Sequence, residues 1–199
     1  MLPGHAGEST QDFVLDAGNR FAAADAKEFL VTHLGLEHAP QIPEVVKETV
    51  SKTSFATNKA LHAVGGDSAH LDFVGHPRIH PLAEAYFTQA PIRYGDYIAK
   101  LAVVPVSPAQ LALEDNVLDT AKDENALRTA TVDYLREQDA VFEIRVQLCT
   151  DLQTMPVENA TKEWSEDESP HQTVARLTLP RQEAYNEARR DYVDRDGIM

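Results

Sequence analysis

Residues 141–149 alternate: Phe142, Ile144, Val146 and Leu148 are apolar, while Glu143, Arg145 and Gln147 between them are polar. A period of two sends successive side chains to opposite faces, so this stretch predicts a strand with one face on a core and the other in polar surroundings. A strand of this kind needs neighbours. Residues 97–104 supply one candidate, apolar at nearly every position except Lys100, which suits burial on both faces, and closed by Pro105 and Pro108. Residues 173–179 supply another, ended by Pro180.

Helical signals lie around these strands. Asp25 can cap a short helix over residues 26–33, in which Phe29 and Leu30 recur with Leu34 at helical spacing until Gly35 stops the run. Pro43 suits the first turn of a second helix through residue 59, although residues 51–57 are weak helix formers, and Gly65-Gly66 ends the apolar series that follows. Residues 67–81 carry Gly75, Pro77 and Pro81 and read as irregular, with at most a short strand at 71–74. Residues 123–138 predict a surface helix, with Leu127, Thr131, Tyr134 and Leu135 on one side and Arg128, Asp133, Arg136 and Glu137 on the other. The organisation expected is an irregular N-terminus at 1–9, a single domain over 10–185, and a charged tail at 186–199 that starts like a helix and stops mid-element. The fold class expected is α+β.

Charge and composition narrow the function. A formal net charge of -14 opposes contact with phosphate backbones, so nucleic acid is not an expected partner. No apolar run approaches the length of about 18 residues that marks a membrane span, and the first residues lack a signal-peptide layout. A cytoplasmic protein is expected. Cys149 is the single cysteine, which excludes an internal disulfide and a Cys-based zinc framework; beside Leu148 it reads as structural.

Local motifs mostly resolve into structural readings. His76 and His80 have metal-site spacing, with His70 close by, but Pro77 and Pro81 forbid the helix that would align them. His33 and His38 suit a helix-ending turn. The nucleophile elbow and phosphate-loop patterns do not occur, and the acidic group Glu163, Glu166, Asp167 and Glu168 around Trp164 lacks the ligand spacing of a calcium loop. The string Pro91-Ile92-Arg93-Tyr94-Gly95-Asp96-Tyr97 is the most unusual. Arg93 there either pairs with Asp96 or a neighbouring loop, or binds an anionic ligand.

Several strings, taken in order, resemble the haem-catalase superfamily, and in particular its short bacterial catalase-like members. Thr10-Gln11-Asp12-Phe13-Val14-Leu15 looks like the strand leading to the distal-side loop, and Asp25-Ala26-Lys27-Glu28-Phe29 like the stretch after it. Residues 86–100, which contain the Arg93 string, look like the entrance to a barrel strand. Residues 142–149, Met155-Pro156, Trp164 and residues 174–179 then follow the family order of barrel strand, proline step, tryptophan loop and final strand.

The resemblance implies an antiparallel β-barrel, incomplete here, with peripheral helices, and it implies haem as cofactor with hydrogen peroxide or an organic peroxide as substrate. It does not carry over the family's chemistry in full. A haem catalase uses a distal His, a nearby Asn and an axial Tyr phenolate. The distal His falls upstream of the matched segment, the Asn position meets Asp16, Ala17 and Gly18, and the axial Tyr falls beyond the matched segment, with Tyr192 out of pattern. Only Phe29 carries over, at the place of an aromatic ring that stacks on the porphyrin; a core phenylalanine is the alternative. A partial reading frame is therefore expected, with open strand edges that favour self-association or a partner. Three functions follow: a haem-binding, peroxide-consuming oxidoreductase, a non-catalytic remnant or interaction module, and a small-molecule binder if Arg93 and Lys100 share a cavity.

Overall fold

The computed structural model describes residues 12–21, 23, 24, 26–30, 78–120 and 122–196. The expectations for Asp25, for the helix at 43–59, for the strand at 71–74, and for His33, His38, His70 and His76 lie outside these residues.

The strands predicted from alternation form and pair with one another. β1 is Asp16–Ala17, β2 Tyr86–Phe87, β3 Ile92–Tyr94 and β4 Tyr97–Pro105. Next come α1, Pro108–Leu111, and α2, Ala126–Glu137, followed by β5, Ala140–Leu148, β6, Gln172–Leu179, and α3, Glu187–Asp196. All six strands belong to one antiparallel sheet in the order β1-β2-β4-β5-β6, with β3 on the same flank of β4 as β2. β5 lies between β4 and the edge strand β6, Leu101 opposite Val146 on one side and Phe142 opposite Leu177 on the other. The class is α+β, as expected.

The barrel does not close. β1 and β6 are the two edges among the described residues, and three of the six strands are only two or three residues long. Closing a sheet needs strands that tilt and stagger until its two edges pair, and among the described residues β1 and β6 do not pair. β6 is exposed at every position but its last, with Val174 and Leu177 among the exposed apolar side chains, and a register shift between Ile144 and Arg145 kinks its pairing with β5. A further correction falls at the first matched string, where residues 12–15 are not a strand and pairing begins at Asp16.

One face of the sheet carries the core. Phe142 packs with Leu82, Tyr134, Leu135 and Ala140, and further along the strands Ala99, Leu101 and Val146 form a second cluster. The side of α2 predicted to be apolar faces this core, and Arg128, Asp133, Arg136 and Glu137 are exposed as expected. Two buried polar side chains organise this end. Gln110 Nε2 donates to the Leu82 carbonyl at 2.7 Å, while its Oε1 accepts from Val141 N–H and Ser107 Oγ, each at 2.8 Å. His80 accepts from Leu82 N–H through Nδ1 and meets the Ala130 carbonyl through Nε2, a neutral ring whose pKa burial pushes down. His80 thus joins the turn before β2 to α2 rather than holding a metal.

Candidate functional site

The opposite face of the sheet is polar in sequence and yet covered. Lys100 and Gln147 are register partners on β4 and β5, and both are buried. Gln147 Nε2 donates to the carbonyls of Trp164 and Ser169, at 3.0 and 2.9 Å. Lys100 Nζ donates to the carbonyls of Asn19 at 3.1 Å and Lys162 at 3.3 Å, and lies 5.2 Å from the centre of the Trp164 ring. Two chain segments far apart in sequence therefore close over one ammonium group.

Those segments also grip each other. Gly18, at φ +97, takes a conformation that L side chains rarely adopt and turns the chain out of β1. Beyond it Phe21 N–H donates to the Ala160 carbonyl at 2.9 Å, and Asn19 Nδ2 donates to Glu163 at 2.6 Å. Burial strips water from the Lys100 ammonium and lowers its pKa from 10.5 to about 8; the Glu163 carboxylate acts against this and Arg20 acts with it. Further along the same face, Arg145 and Thr173 both donate to Glu143 and hold its carboxyl below the ordinary range, the Arg145 bond being the larger cause.

Arg93 sits elsewhere. The hairpin between β3 and β4 turns at Gly95, φ +62, with Tyr94 opposite Tyr97, the left-handed conformation that two-residue hairpins require. Arg93 Nε donates to the Gly95 carbonyl at 2.9 Å, and no ion pair joins Arg93 to Asp96 among the described residues. Beside it is an open groove of about 500 Å³ whose walls include Arg93, Tyr97, Ile98 and Val157. Lys100 is not part of that lining, so the two cations do not share a cavity, and the condition for the small-molecule reading is not met.

Phe29 lies in a helical turn at residues 26–30, whose start is held by Ala24 N–H donating to Glu28 at 2.8 Å. Its ring stacks on Phe21 with centroids 5.1 Å apart, and both Phe29 and Leu30 are exposed. Cys149 Sγ donates to the Met155 carbonyl at 3.5 Å beside the buried Met155 side chain, a structural placement.

The described residues do not fit haem. A macrocycle needs a slot that covers most of its surface and a side chain on the iron. The groove beside Arg93 is open, with the exposed Arg93, Gly95, Asp96 and Tyr97 in its walls, and a second, near Ser107, is bounded by Glu137, Asp139 and Arg181. Phe29 gives one ring face to Phe21. Among the described residues no three His, Cys, Asp or Glu side chains gather as a metal site would require, and no helix is long and apolar enough to cross a membrane.

No family model matches the chain, and no curated protein matches it. A solved structure of a bacterial catalase is similar over 70% of this chain and 28% of that one, at 12% identity and a TM-score of 0.40. The matched part thus spans little more than a quarter of that catalase, a likeness too slight to decide the fold.

Proposed function

We propose that the chain is a catalase-related protein, derived from haem enzymes that break down hydrogen peroxide, and that it acts as a non-catalytic scaffold or interaction module rather than as an oxidoreductase. One observation carries this reading: the later strings that resemble the family, from residue 86 on, come together as one packed unit. The strand-entrance string becomes β3 and β4, residues 142–148 fall within β5, residues 174–179 fall within β6, and Trp164 is buried over Lys100 and beneath its own loop, bonded through its carbonyl to Gln147. Among the described residues no three His, Cys, Asp or Glu side chains gather beside this unit to hold a metal. Among the described residues no strand pairs with the outer edge of β6, which leaves it open to a further strand from a second copy or another protein.

The second reading, a haem-binding and peroxide-consuming oxidoreductase, draws on the stacked Phe21–Phe29 pair, which leaves part of Phe29 and Leu30 exposed as an apolar surface for a macrocycle. In it Phe29 stacks on the porphyrin, and Arg93 offers its remaining guanidinium donors to an anionic group. One experiment separates the two. Purified protein mixed with equimolar haemin is expected to give the absorption spectrum of haemin in buffer and no added oxygen release from hydrogen peroxide. A shifted Soret band that is lost in Phe29→Ala, together with oxygen release, would replace the scaffold reading with the enzymatic one.

A further inference from the structure

Buried lysines are rare unless a carboxylate pairs with them, yet Lys100 is 4% exposed and no carboxylate lies within ion-pair distance of it among the described residues. Its donors go instead to two backbone carbonyls outside the sheet. Lys162 belongs to the long connection between β5 and β6, the segment that lays Trp164 and Ser169 over Gln147. One further feature opposes this closure. Trp164 Nε1 is buried with no acceptor among the described residues, and a buried donor left unmet costs free energy that exposure to water would recover. The covering segment is therefore held down by a few polar contacts against a standing penalty.

We propose that residues 159–171 form a strap latched to the sheet by Lys100, and that loss of the Lys100 proton tightens the latch. Covered, the amine has a pKa of about 8; lifted into water it returns toward 10.5. Below about pH 8 both forms hold the proton, and the covered form bears the full cost of a buried charge. Between the two values the lifted form binds a proton that the covered form lacks, so rising pH favours closure; above about 10.5 the gain is complete. Burial is the largest influence on the amine and acts against its charge, while the Glu163 carboxylate acts for it. Among the described residues the groups facing Lys100 are Glu163 from the strap, Arg20 from the segment after β1, and from β5 the neutral Gln147.

Trp164 is the single tryptophan of the chain, so its fluorescence reports on the strap alone. Acrylamide quenching of the whole protein should weaken on the order of tenfold between about pH 7 and 9.5, as the amine's two pKa values require. Burial pushes the Cys149 thiol up, which keeps it protonated over most of that range. Lys100→Met should abolish the pH dependence, and Glu163→Gln, which removes the charge that raises the Lys100 pKa, should move the midpoint to lower pH. Quenching that is flat or rises with pH in the native protein would overturn the proposal, as would an unchanged slope in Lys100→Met. If Lys100→Met does not fold, an unmoved midpoint in Glu163→Gln overturns it equally.

Discussion

Phe142→Ala should destabilise the protein by about 3–5 kcal/mol, the range for truncating a buried aromatic side chain in a core that cannot collapse around the space. Phe142 stands where three elements meet: it is paired with Pro105 of β4 and Leu177 of β6, and it packs under Tyr134 and Leu135 of α2. Removing it strips contacts from the sheet and the helix together. The loss is a large share of the roughly 5–15 kcal/mol that holds a domain folded. Urea unfolding followed by far-ultraviolet circular dichroism should show a lower midpoint with an unchanged slope. A loss below about 1 kcal/mol would mean that α2 does not pack on β5.

Gln110→Leu should cost about 2–4 kcal/mol, although it places an apolar side chain of similar size in a fully buried position. Gln110 accepts from Val141 N–H at the start of β5 and donates to the Leu82 carbonyl, so the substitution takes these partners from a half-buried donor and a buried acceptor. Ser107→Ala is the control. It removes the side chain that caps α1 and that donates to Gln110, and should cost about 1 kcal/mol. Equal losses in the two variants would show that Gln110 is not the joint between α1, the turn before β2 and β5.

The alternation at residues 142–148 was readable because a period of two is a local signal, and so were the two faces of α2. Lys100 stood out too, as the one charge in a strand otherwise suited to burial on both sides. What covers it was not readable. The clasp depends on carbonyls of Asn19 and Lys162, groups every residue possesses, brought together from positions 143 residues apart by folding alone. The acids beside Trp164 are exposed, as a solvated loop requires, but the burial of Trp164 itself was not readable, because nothing local shows that Gln147 will reach its carbonyl. β1 and β2 escaped notice for a simpler reason: two-residue strands are made by their partners and leave no periodicity. Alternation also says nothing about closure, since a strand in an open sheet and one in a barrel wall carry the same pattern.

β3, β4, β5 and β6, formed by the later of the strings that resemble the catalase family, belong to one antiparallel sheet in which β5 joins β4 to β6. Interstrand nuclear Overhauser effects on isotope-labelled protein test this directly. The register predicts close backbone contacts between Leu101 and Val146 and between Ile144 and Ala175. Contacts three residues apart within 140–148, as in a helix, or none between β5 and either neighbour, would contradict it.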